Sequence, residues 1–428
     1  MPIFSGSISY APFPEGFKGD MDETFQQSGQ QATIYIDGNF LTGFYYPIGT
    51  TPPPVLPTSD QGPIASNGTW YFWDPVTGQY LPQSSSIRTP KNYVRNSTVQ
   101  IQQTVFTNPV ASGITQTYDM CLCRASASSI LTIAPDTGPL SGNDNDFCSS
   151  SIRYTVTGGP VTTLGVTDLY AHEHLIEGSE IASAQGQQTS LGFSVWVNQP
   201  GTYSCYLTSN GRDSSYVFNF QVTTASQWAR IKVNNIPPFP TTGTWNYSEG
   251  QTGLYIGVVM ATGSQWRTST PGQWVSGFFA GTSSNTNMLS VSNNQMKISA
   301  VKLETGSSST YASVGSFEED YFGCIRYYFT TFSYGSLTAG FPFILQSQST
   351  NNAMGSMLFE RRMCRAPTVV PYGWTSHTAG NVTNMSTGSD VATATLPSTP
   401  KGVGGSITST SNKGDTFACL ITADARLS

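Results

Sequence analysis

Between residues 98 and 315 the chain is a succession of short strand-like segments broken by turn residues, with no helix-length stretch between them. Parallel strands need long crossover connections, so a chain of this kind is confined to antiparallel sheets. Residues 98–107 alternate as TVQIQQTVFT. Residues 191–197 (LGFSVWV) place Phe193, Val195 and Val197 on one face, and after the Pro200-Gly201 turn residues 203–207 return as a hairpin partner. Further strands are expected at 216–222 (YVFNFQV), 228–233 (WARIKV), 253–260 and 297–303.

Composition supports this reading. Charged residues make up 10% of the 428, against roughly 25% in an ordinary soluble domain. With 42 Gly, 26 Pro and abundant Ser and Thr, helices can only be a minor component. Aromatics at 12% and hydrophobics at 38% leave ample material to bury, so the low charge does not signal disorder.

A net charge of -6 without any run of Lys or Arg leaves no footprint for tracking a phosphate backbone, and nucleic acid is not an expected partner. No stretch approaches the roughly 18 apolar residues of a membrane span. Met1-Pro2-Ile3-Phe4 opens into Gly and Ser without the basic and apolar regions of an export signal, so neither membrane insertion nor export is expected. Seven cysteines, an odd number in a long chain, read as reduced thiols made in a cytosol.

Three regions are expected. Residues 1–97 are turn-rich, with aromatics at 40–47, Pro52-Pro53-Pro54, and Trp70 to Trp73 before a hairpin turn at Asp74 to Gly78. Residues 98–318 fit an antiparallel jelly-roll sandwich, and 319–428 a small C-terminal β domain with strands at 341–346, 355–361, 367–372 and 418–425. A helical turn is expected near 317–329. The fold class is all-β.

Residues 189–233 and 298–328 resemble the jelly-roll domain of bacteriophage tail-fibre and other virion-fibre proteins. The resemblance rests on Leu303-Glu304-Thr305-Gly306, residues 311–317 and Cys324-Ile325-Arg326-Tyr327-Tyr328. Residues 360–370 (ERRMCRAPTVV) are similar to that family's Met-Arg-x-x-Pro-Thr strand, with Cys364 interrupting the Met-Arg pair. Ala423-Asp424-Ala425 resembles its C-terminal ending, with Arg426 where an acidic residue is common. The resemblance implies a structural virion protein, usually a homotrimer, assembled in the host cytoplasm. Its N-terminal region would attach to other virion proteins, and its β domains would meet host-surface polysaccharide.

Candidate chemistry is sparse. His172-Glu173-His174, with Glu177 and Glu180, is the dense titratable cluster. On a strand the two imidazoles share a face, as a metal pair could, but solvated residues entering a strand explain them, and Ile176-Glu177-Gly178 matches a strand end of the resembled family. With His377 as the third histidine, a triad is not expected. Asn143 to Asp146 could belong to a calcium loop but reads equally as a turn. Cys121 and Cys123 lack zinc-knuckle spacing. No catalytic residue, metal ligand or cofactor is assigned.

Pyranose rings stack on exposed aromatic faces. Trp266 and Trp274 flank a Ser/Thr-rich loop, and Tyr372 and Trp374 stand beside His377; these five are the candidate carbohydrate-binding residues. The leading reading is a non-enzymatic fibre or fibre-like appendage. The alternatives are a capsid-decoration or head-fibre protein, or a carbohydrate-binding module of an extracellular bacterial protein. A depolymerising tailspike would need paired carboxylates on a repetitive β-helix, and no such repeat is found.

Overall fold

The computed structural model describes five strands among residues 1–90. Beyond these it describes 91–428 except 104–107, 140–147, 311–316, 333–339, 350–351, 393–395, 408–412 and 428. The chain divides into two compact units, Met1–Lys91 and Asn92–Ser428. The first holds one sheet, in the order β1 (Gln30–Ile36), β2 (Asn39–Tyr45), β3 (Ile64–Ser66), β4 (Thr69–Asp74) and β5 (Gln79–Pro82). Asp74 pairs with Gln79, so the hairpin expected from the Asp74 to Gly78 turn forms.

The division falls before Asn92 because residues 92–97 are tied to the second unit. Asn92 Oδ1 accepts from the backbone of Val94 and Leu303, its Nδ2 donates to Val301 O, and Tyr93 N donates to Leu303 O.

The second unit opens with a two-sheet antiparallel sandwich. Its strands are β6 (Gly113–Gln116), β7 (Cys121–Ala125), β8 (Leu131–Thr137), β9 (Ser150–Val156), β10 (Leu169–Glu177), β11 (Thr189–Val197), β12 (Gly201–Ser209), β13 (Ser214–Val222), β14 (Gln227–Ile236), β15 (Thr252–Thr262), β16 (Trp274–Ser276) and β17 (Gln295–Thr305). One sheet runs β16-β13-β12-β15-β10-β7-β6 and the other β14-β11-β17-β9-β8. Between them Phe193, Val195 and Val197 are fully buried, as the alternation of 191–197 requires,. Phe193 meets Phe220 of the facing sheet edge-on at 5.3 Å. Burying one such side chain stabilises the fold by about 1.5–3 kcal/mol.

Residues 98–103, the described part of the strand expected at 98–107, do not form it. Where described, 98–103 is irregular, and Val99 has φ +56°. The cause is Asn96. Its buried Oδ1 accepts from Gln100 N and Ile101 N, and its Nδ2 donates to Ile101 O and Asp119 O. The side chain takes over the bonds a ladder would have used.

The remaining strands are β18 (Tyr328–Thr330), β19 (Phe343–Ser349), β20 (Asn352–Leu358), β21 (Thr368–Gly373), β22 (Asn381–Asn384), β23 (Ser389–Ala392), β24 (Ser398–Thr399), β25 (Gly402–Ile407) and β26 (Thr416–Asp424). They form one sheet organised around β26, which pairs with β19 and β22 along its first half and with β18 and β21 along its second. A short helix, Phe317–Cys324, precedes it, where the helical turn is expected.

This sheet does not stand apart from the sandwich. Met120, Leu122, Leu175 and Tyr255, on the outer face of the seven-stranded sheet, share a core with Ile325, Tyr327, Phe329 and the strands that follow. The chain between β15 and β17 covers another part of that face, through Trp266, Phe278, Phe279 and Ala280 on Leu169, Tyr206, Val217 and Val259. Strands β10 and β15 are therefore buried on both faces along their whole length,.

Between these covers lies buried Glu173. It accepts from Arg124 Nε at 2.9 Å, from Arg212 at 2.8 and 3.0 Å, and from the Tyr206 hydroxyl. Tyr206 can lie there because its neighbour is Gly257, where a Cβ would stand 2.1 Å from the Tyr206 ring.

Glu177 anchors the sandwich to the C-terminal sheet. Its carboxylate accepts from Tyr327 OH at 2.7 Å, from Arg326 twice at 3.2 Å and from Gly250 N at 2.5 Å. Two sequence pieces singled out separately, Ile176-Glu177-Gly178 and Cys324 to Tyr328, thus meet in space and act as structural glue.

Candidate functional site

The five aromatic and histidine candidates fall in four places. Trp266 packs on Phe278 with its indole N–H on Thr167 O, part of the cover over the seven-stranded sheet. Trp274 belongs to a different cluster at the β16 edge, with Tyr216, Phe239 and Trp245 at centroid distances of 5.5–5.8 Å. Its N–H is spent on Pro237 O, and that of Trp245 on Thr242 O. Trp266 and Trp274 therefore do not form one platform. Both are half-buried, with their polar atoms engaged by backbone.

Trp374 and His377 lie in the turn between β21 and β22. Trp374 is half-buried, neither open nor in the core. The turn is fastened by Asp390, which accepts from Ser376 Oγ, Thr383 Oγ1 and Asn381 Nδ2. Burial would raise this carboxyl, but those three donors outweigh it and hold it below the usual carboxylate range,. Gly373 is needed at the start of the turn, since a Cβ there would lie 2.3 Å from Asp390 Oδ2.

Tyr372 is placed differently. Along β21, Val369 and Pro371 face the core, while Thr368, Val370 and Tyr372 face outward. The register aligns Tyr328, Asp424 and Thr368 in one cross-strand row and Thr330, Thr422 and Val370 in the next. On this face lies a groove of about 610 Å³ lined by Tyr328, Arg365, Thr368, Val370, Tyr372, Thr422, Asp424 and Arg426, with Gln116 and Leu427.

Arg426 turns back over this end of the sheet. Its guanidinium lies 4.5 Å over the Tyr328 ring and grips both Asp424 oxygens, the shortest contact being 2.5 Å. Arg365 donates to the Arg426 carbonyl. Tyr372 meets Phe332 edge-on at 5.9 Å. The groove thus offers a half-exposed tyrosine ring, hydroxyls that both donate and accept, and a carboxylate beside two guanidinium groups. One carboxylate lines it, already paired to Arg426, so these residues do not build the two-carboxylate geometry of glycoside hydrolysis.

Of the sequence candidates, the groove takes Tyr372. Trp374, His377, Trp266 and Trp274 are not among its lining residues. Sequence reasoning missed Tyr328, Arg365, Asp424 and Arg426 as binding residues, because what unites them is the pairing of β18 and β21 with one shared strand.

Inside the sandwich, His172 and His174 are 0% and 1% exposed, so the expectation of solvated residues entering a strand is overturned. They sit mid-strand on β10, facing inward. Burial pushes both imidazoles toward the neutral form. The seven cysteines are all buried free thiols. The Asn143 to Asp146 loop lies outside the described residues.

No protein-family model matches the chain, and no curated protein matches it. Among solved structures it is similar to TmCBM61 in complex with β-1,4-galactotriose, at 10% identity over 50% of this chain and 99% of that one, with a TM-score of 0.25. It is also similar to the family 11 carbohydrate-binding module from Clostridium thermocellum in complex with a β-1,3-1,4-mixed-linked tetrasaccharide. That match has 9% identity over 46% and 98% of the two chains, and a TM-score of 0.24. A third similarity is to discoidin II of Dictyostelium discoideum, at 9% identity over 68% and 94%, with a TM-score of 0.16. At such values the fold rests on the sheets described above.

Proposed function

We propose that this chain is a glycan-binding β-sandwich protein with no catalytic role of its own, and that the groove on the C-terminal sheet is where polysaccharide lies. The observation that carries this reading is the Tyr372 ring beside the Asp424–Arg426 pair. A pyranose face stacks on the ring, while carboxylate and guanidinium accept from and donate to its hydroxyls. Titration calorimetry with bacterial surface polysaccharides is the test. Tyr372→Ala should weaken binding about tenfold, or about 1.4 kcal/mol, with an unchanged melting temperature. Equal affinity of the folded variant and the parent would remove the groove from the reading.

A second reading adds a carrier: a fibre-like appendage of a virion, homotrimeric and attached through residues 1–97. The sequence resemblance of residues 189–233 and 298–328 supports it. So does an apolar surface on the C-terminal sheet, where Phe341 is 85% and Leu358 80% exposed beside Ile344 and Met354. Several large apolar side chains left exposed on one sheet are a mark of protein contact. Light scattering on the purified chain should give three times the chain mass, and a monomer at micromolar concentration would count against the trimer.

A further inference from the structure

We propose that Cys121, His172 and His174 form a buried structural zinc site that clamps β7 to β10. The strand register brings the three together. Cys121 is directly paired with His174, and His172 lies two residues along β10 on the same face. All three are buried, and one donor atom from each lies within 4.8 Å of the others.

The distances suit zinc. Bonds of ~2.3 Å to sulfur and ~2.0 Å to nitrogen at a tetrahedral angle place the two donors roughly 3.5 Å apart. Cys121 Sγ is 3.4 Å from His174 Nδ1. The two imidazoles meet edge to face with centroids 4.6 Å apart.

The second observation concerns His172. Its Nδ1 is 2.7 Å from the Tyr154 hydroxyl, on a strand of the facing sheet, while its Nε2 is buried without any hydrogen-bond partner. A buried ring nitrogen left empty is costly in a packed core. A metal at Nε2 satisfies it, and the Tyr154 contact then fixes the ring, as the outer partner of a metal-bound histidine does.

One thiolate with two imidazoles is a borderline-soft donor set that suits Zn(II) over calcium or magnesium. Zinc binding releases the Cys121 proton to solvent. A site this enclosed is filled during folding, so the metal contributes to stability.

The test uses the full chain without a polyhistidine tag, unfolded and refolded in Zn(II) or Co(II), followed by elemental analysis, absorption spectroscopy and melting. The expected result is about one zinc ion per chain, and in the cobalt form a thiolate-to-cobalt charge-transfer band. The melting temperature should be higher than after refolding with a chelator. Cys121→Ser should lose the band and most of the metal. A folded parent chain that holds no zinc and melts at the same temperature with and without it overturns the proposal. A cobalt form lacking the thiolate band overturns it too, whether or not the variant folds.

Discussion

Glu173→Ala is expected to lower the folding free energy by about 3–5 kcal/mol, the cost of removing one partner from a buried ion-paired group. The carboxylate is fully buried, and three donors converge on it from three strands or turns. Burial would raise its pKa, but Arg212 and Arg124 outweigh that, with help from the Tyr206 hydroxyl, and hold it below the usual range. Removal leaves two guanidinium groups near one another with no anion between them. Arg212 also lies 3.9 Å over the Tyr255 ring, a contact it would give up in swinging to water. Denaturant unfolding of the variant and its parent measures the loss. A change below about 1 kcal/mol would show the cluster to behave like a surface pair.

Glu177→Ala should cost a similar amount, about 3–5 kcal/mol, for a related reason. Arg326 retains Glu249 at 2.7 Å, but Tyr327 OH and Gly250 N lose their acceptor. The carboxylate joins the sandwich to the segment leading into the C-terminal sheet, so the variant should also unfold less cooperatively. Glu177→Gln keeps an acceptor for Tyr327 and Gly250 and should recover part of the loss. Calorimetry reads both effects. A single sharp transition at the parent's temperature in Glu177→Ala would refute the anchoring role.

The strands of the sandwich between 189 and 305 were legible because they alternate or carry long apolar runs, but their pairing was not: residues 191–197 and 203–207, expected as a hairpin, lie in opposite sheets, β11 pairing with β14 and β17 and β12 with β13 and β15. Strand β10 was not. Its sequence, LYAHEHLIE, looks half-polar, yet both faces are covered; Glu173 is answered by Arg124 and Arg212, His174 by Cys121 and one nitrogen of His172 by Tyr154. No local pattern announces such partners, which lie 18 to 53 positions away. Residues 98–103 misled in the opposite sense. Their alternation is real, but the Asn96 amide captures the backbone first.

The groove shows the same limit. Tyr372 stood out as an aromatic near a turn, whereas Asp424 drew notice only as part of a resembled C-terminal ending and Arg426 only as a departure from it. Their role follows from long-range pairing that spacing cannot show.

The central place of β26 also sets a timetable. A ribosome delivers Tyr328–Thr330, Phe343–Ser349, Thr368–Gly373 and Asn381–Asn384 well before Thr416–Asp424, the strand on which all four pair. Until that strand emerges, these segments keep open edges and uncovered apolar faces, the condition in which nascent chains stick to one another. The part of the molecule that carries the groove therefore forms late, in one closing step, on a foundation that the sandwich can complete beforehand.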